Sequence, residues 1–222
     1  MKTHRLLPFT LVATLSASCS PDNSKIPGQG QGSERAAAEE SVPADMSRGD
    51  AKDFLHHMAI VNATEIELGK LARERGTTET IKKFAQMMID QHTVSGEKVK
   101  ALASDLKIDT PDRLDDQHLD QRDKLAKQSG TDFDREYTST MVDGHKDLID
   151  QLEHRIDKKT LDQWKIGMKG KTTVPSGTIA ILPDRSDDPT TMRVNQLAAD
   201  IYPTVYAHLE TAKAIETSLK KR

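Results

Sequence analysis

The sequence predicts an all-α protein, an antiparallel four-helix bundle with a loop insertion ahead of its fourth helix. Aromatic residues make up only 4% of the 222 residues while Ala, Leu, Lys, Glu and Asp are abundant, a composition that suits helices better than sheets. Four long segments repeat apolar residues at helical spacing, and Gly- or Pro-bearing stretches separate them. The formal net charge of −3 supplies no attraction for nucleic acid, and the closing Lys220–Lys221–Arg222 reads as a solvated helix end.

The first 18 residues read as an export signal: a basic start (Lys2, Arg5), an apolar run from Leu6 to Ala17 too short to span a bilayer, then small residues. The chain has one cysteine, Cys19, placed where that signal ends, so a disulfide within one chain is impossible. Leu15–Ser16–Ala17–Ser18–Cys19 resembles a bacterial lipoprotein box, which implies lipid attachment at Cys19; the alternative is ordinary cleavage near Ala17 leaving a free thiol. Either route puts the mature protein outside the cytoplasm, in the periplasm or cell envelope. Residues 19–49, rich in Pro, Gly, Gln, Ser and Ala without apolar periodicity, are expected to be a flexible tether, and 50–222 the folded part.

The first helix is expected to begin at Asp50, with Asp53 three residues on. Phe54, Met58, Val61, Glu65, Leu68, Gly69 and Ala72 share its inner face, and Glu65 near the centre of that face is costly unless paired, hydrogen-bonded or metal-bound. His56 reads as exposed. Gly76 makes the turn, and Thr77 or Thr78 caps the second helix. On that helix Ile81, Phe84, Ala85, Met88, His92, Ser95 and Val99 fall within roughly a 100° arc. A group that titrates near neutrality therefore points at the core.

Asp105 to Gly130 reads as a connector with a minor helix, in which Asp115 and His118 are three apart, a spacing metal sites use, but read as solvated in so polar a segment. The third long helix follows, capped by Thr131, with Phe133, Asp134, Tyr137, Met141, His145, Leu148 and Leu152 in one broad stripe. Ile156, Leu161, Trp164 and Met168 suggest a short helix, and about 166–193 forms the insertion, a loop or weak hairpin turning at Pro175–Ser176–Gly177. The fourth long helix starts near Thr191 with His208 on its inner face, and Pro203 is expected to interrupt and kink it one turn earlier.

Each long helix thus carries one ionisable residue inward: Glu65, His92, His145 and His208, with Tyr137 and Asp134 nearby on the third. One carboxylate and three imidazoles are a credible ligand set for zinc or iron. The competing arrangement is a metal-free polar layer in which Glu65 hydrogen-bonds protonated histidines. Nitrogen separations of roughly 3–4 Å fit ligands sharing one metal, and separations beyond about 8 Å fit the polar layer.

The segments Glu65–Ala72, Phe84–His92, Phe133–Tyr137 with His145, and Tyr202–Leu209 resemble the bacterial domain-of-unknown-function 4142 family, exported proteins assigned to the ferritin-like superfamily. The resemblance implies a ferritin-like four-helix bundle and, as the name says, no established activity. Gln91 departs from it, standing where the family commonly has an acidic residue. Ferritin-like di-iron sites use Glu-x-x-His pairs. This chain has none, because Ile89, Val142 and Val205 occupy the positions three residues before the inward histidines. An ordinary di-iron oxidase is therefore disfavoured, and no Ser or Cys sits in a nucleophile setting. The leading expectation is a non-catalytic envelope or stress-related protein, membrane-tethered through Cys19, with an envelope protein as candidate partner. The alternative is a single-site transition-metal-binding protein using the Glu/His cluster.

Overall fold

The computed structural model describes residues 44–175 and 177–221, so the signal sequence, Cys19 and most of the expected tether lie outside the described residues. Six helices follow one another: α1 (Ala44–Arg75), α2 (Glu79–Leu106), α3 (Asp116–Ala126), α4 (Gly130–Glu153), α5 (Lys158–Met168) and α6 (Pro189–Leu219). No strand occurs among the described residues, only an isolated antiparallel bridge between Ile156 and Pro183. None of these helices is long and apolar enough to cross a membrane.

Helix α1 begins at Ala44, six residues before the expected start at Asp50. Tertiary packing accounts for the extension: Ser47 and Ala51 are buried, and the Arg48 guanidinium donates to the Lys107 carbonyl at 2.9 Å, beyond the end of α2. Thr78 caps α2, its hydroxyl accepting from the Ile81 amide at 3.2 Å. At the other end of α2, Lys107 takes the left-handed conformation (φ 55°) that terminates helices.

Aspartates start three of the remaining helices. Asp115 accepts from the His118 amide, Asp157 from that of Thr160 and Asp188 from that of Thr191, with Pro189 in the first turn of α6. The three-residue spacing of Asp115 and His118 is thus explained by a helix cap. Helix α4 departs from the expected cap: it begins at Gly130, and Asp134 reaches across to accept from the Thr77 amide (3.0 Å) and the Thr77 hydroxyl. Asp134 therefore ties the α1–α2 turn to α4.

The long helices pair antiparallel. Along α1 and α2, Gly69 lies opposite Ile89 and Asn62 opposite His92. A Cβ added at Gly69 would stand 2.9 Å from the Ile89 side chain and 3.1 Å from the Ala85 carbonyl, so glycine permits this close approach. Along α4 and α6, His145 lies opposite His208, and the Tyr202 hydroxyl donates to Glu153 at 2.7 Å. The two pairs face each other over one core in which Phe84, Met88, Phe133, Tyr137, Met141 and Leu148 are buried.

Helix α6 runs unbroken through Pro203, which corrects the expected interruption. A proline forfeits one backbone hydrogen bond. The buried residues flanking it, Ile201, Tyr202 and Val205, hold the helix in place on either side. The insertion is a loop, as expected, with a turn in which the Thr178 amide donates to the Pro175 carbonyl at 3.3 Å. The Asp157 amide donates to the Leu182 carbonyl and the Asp184 amide to the Arg155 carbonyl, both at 2.9 Å, so the returning strand of chain is pinned to the α4–α5 connector. Trp164 of α5 is buried edge-on against Tyr202 and Tyr206 of α6, with ring centroids 5.5 and 5.1 Å away.

Candidate metal centre

All four long helices meet at one level. Asn62 and Glu65 come from α1, Gln91 and His92 from α2, His145 from α4 and His208 from α6, and every one of these except Gln91 is buried. The apolar stripes read along the sequence explain why the helices turn these residues inward. The lengths of the intervening segments then bring them to the same depth.

The structure joins His92, His145 and His208, each 1–3% exposed. One ring nitrogen from each lies within 4.8 Å of the other two. The ring centroids are 5.2–5.7 Å apart, and His145 Nε2 stands 3.2 Å from His208 Nδ1. Four-coordinate zinc with Zn–N bonds of about 2.0–2.1 Å separates its nitrogen ligands by about 3.4 Å. The His145–His208 separation is of that size, and the three imidazoles together form a group that could hold one ion.

Glu65, expected beside them, stands outside this three-histidine group. Its Oε1 is 3.9 Å from Nδ1 of His145, too far for a hydrogen bond and on a ring atom already engaged with the Met141 carbonyl at 2.8 Å. Oε2 of Glu65 and the Tyr137 hydroxyl are both buried without a partner. Tyr137 is packed between Phe84 and Phe133. Asp134, occupied by Thr77, belongs to the helix joint and not to the centre.

Burial sets the charges. Desolvation pushes the Glu65 carboxyl up to about 8. The Tyr137 phenol is raised well above its ordinary value, first by burial and then by the neighbouring Glu65. Burial lowers His145 to about 4, against the opposing effect of its bond to Met141. His208 falls to about 3 through burial and then His145, and His92 is held well below its ordinary value by burial and by both other histidines. At neutral pH this layer contains neutral imidazoles and a protonated carboxyl, so Glu65 is not salt-bridged to a charged histidine.

Second partners determine where each ring carries its proton. The Met141 carbonyl can only accept, so Nδ1 of His145 bears the hydrogen and Nε2 presents a lone pair. The Asn62 amide is oriented by donating Nδ2–H to the Met58 carbonyl at 2.7 Å. Its oxygen then accepts from Nδ1 of His92 at 3.0 Å, leaving His92 Nε2 as a buried lone pair without a partner. Nε2–H of His208 donates to the Gln91 amide oxygen at 2.7 Å, so Nδ1 of His208 is also a lone pair. It faces the lone pair of His145 Nε2 at 3.2 Å, an arrangement relieved by a cation between them or by reversal of the Gln91 amide. Outward N–H groups held by amide and carbonyl oxygens, with inward lone pairs, are how metal-binding histidines are usually supported.

The sequence reading missed Asn62 and Gln91 as supports. Asn62 left a signal, since it lies between Met58 and Glu65 on the inner face. Gln91, half-exposed and beside the stripe, left none. A surface cleft of about 530 Å³ elsewhere is lined by Asp50, Phe54, His57, Arg155 and Asn195. Its cation is already used: Arg155 binds both Asp50 oxygens (2.8 and 3.0 Å) and lies over the Phe54 ring, locking α1 to the end of α4.

Residues 35–164 match the model of a family described as Domain of unknown function (DUF4142). The match covers α1 to α4, ends within α5 and so stops before His208. No curated protein and no solved structure matches the chain.

Proposed function

Given that this chain belongs to the DUF4142 family, we infer that it is an exported ferritin-like four-helix bundle, tethered at the envelope, whose core holds one transition-metal ion on His92, His145 and His208. The observation that carries this reading is the convergence of one buried ring nitrogen from each of His92, His145 and His208, with Nε2 of His92 lacking any partner. Leaving a buried polar atom unsatisfied costs about 1–3 kcal/mol, and a bound ion removes that cost. The role is non-catalytic holding or sequestration of metal, with Asn62, Gln91 and the Met141 carbonyl keeping the rings aimed.

Tag-free protein, stripped of metal and titrated with a panel of first-row ions, is expected to bind one equivalent of at least one of them. His92→Ala is expected to lose that binding while retaining its helical circular dichroism. Absence of stoichiometric binding across the whole panel overturns the reading. Envelope tethering is tested separately: Cys19→Ser is expected to shift the protein from the membrane fraction to the soluble envelope fraction, and unchanged fractionation removes the lipid anchor from the proposal.

A further inference from the structure

We propose that the centre is built for a singly charged ion, copper(I), and that Gln91 is the residue that sets this preference. The inference rests on His92, His145 and His208 being the ligands, and it begins from the charges that surround them. Each ring's outward N–H meets a neutral oxygen: Asn62 for His92, the Met141 carbonyl for His145 and Gln91 for His208. Among the described residues, the one carboxyl with an oxygen within 4 Å of these rings' nitrogens is that of Glu65, and it approaches Nδ1 of His145, not the inward Nε2. Among the described residues no Asp or Glu joins the three-histidine group. The first shell and its hydrogen-bonding partners therefore carry no negative charge.

In a buried site the cost of placing an ion grows with the square of its charge, so a divalent ion costs about four times what a monovalent one does unless an anionic group offsets it. Zinc sites commonly obtain that offset from a thiolate or carboxylate, or from a bound hydroxide in a fourth position. Copper(I) brings one charge and accepts three donors as a complete shell; imidazole suits copper and zinc alike, so charge and not donor type makes the difference. The three neutral rings supply what it needs without a fourth group.

Gln91 is where this balance can be changed. Its amide oxygen, 2.7 Å from His208 Nε2, has the position that a carboxylate takes in a carboxylate–histidine–metal arrangement. Gln91→Glu would place a negative charge one imidazole away from the ion with little change in shape. That change favours divalent metal.

The test uses the full tag-free chain, anaerobically, with copper(I) and zinc(II) each titrated against a competing chelator, and cobalt(II) absorption reporting ligand geometry. Native protein is expected to bind one copper(I) at least 100-fold more tightly than zinc(II). In Gln91→Glu that ratio is expected to fall tenfold or more, the scale on which outer-sphere partners act. Zinc(II) or cobalt(II) binding as tight as copper(I) in the native chain overturns the copper preference while leaving the three-histidine centre standing. Binding of no metal overturns both. An unchanged ratio in folded Gln91→Glu overturns the role of Gln91, and the native comparison is independent of how that variant folds.

Discussion

Metal-free protein is expected to lose stability steeply on acidification, beginning near pH 6.5 and continuing to about pH 4. The unfolded chain protonates each core histidine below 6.5, whereas the folded protein holds His145 neutral down to about 4 and His208 down to about 3. Over this window the unfolded state binds more protons, so stability rises with pH and is lost as pH falls. For His145 alone the loss approaches about 3 kcal/mol, a large part of the 5–15 kcal/mol typical of a domain. Urea midpoints of chelator-treated protein between pH 4 and 7 measure it. A flat profile would mean that the rings take up protons in the folded state at the same pH as in the unfolded chain, and stability that falls as pH rises through the histidine range would mark charged, paired rings, as in the polar-layer arrangement. A bound ion should deepen the same dependence, because protons compete for the lone pairs it needs.

The second large effect has the opposite sign and belongs to Glu65. The folded protein keeps this carboxyl protonated up to about pH 8, while the unfolded chain releases the proton near 4.5. Here the unfolded state binds fewer protons, so the contribution is fully present below 4.5 and declines as pH rises toward 8. The full decline is about 5 kcal/mol, set by the solvation that an ionised carboxylate would forfeit in this layer. Glu65→Gln is expected to remove the alkaline decline and to be the more stable form at pH 8 by several kcal/mol. Together the two effects give metal-free native protein a stability maximum near pH 7, where the histidine and Glu65 slopes cancel. Equal alkaline stability of native and Glu65→Gln protein would show that the carboxyl is solvated or already paired.

Much of the helical content follows from periodicity. The stripes containing His92, His145 and His208 place all three inward, and they are inward; the short helices around Leu125 and Trp164 also lie where their apolar residues suggest. Glu65 marks the limit of that reasoning. A helical wheel gives a direction about one axis, but neither depth nor side-chain torsion, and Glu65 turns toward the far nitrogen of His145 while its neighbour Asn62 reaches His92. Asp134 fails for a related reason. Its carboxylate had a nearer claim, the amide and hydroxyl of Thr77, in a turn 57 residues earlier in the chain. The early start of α1 reflects contacts to the end of α2 that no local signal announces.

By itself, then, the sequence determined the all-helical class, the inward faces and the three histidines, because those depend on local propensity and on a period that each segment carries alone. Whether a histidine is a ligand or a filled core residue depends on which nitrogen carries its proton. That was decided by an acceptor on the ring's own helix for His145 and by acceptors on other helices for His92 and His208. Asn62 and Gln91 lie 30 and 117 residues from the histidines they contact, so packing alone brings three buried ring nitrogens and their supporting amides together.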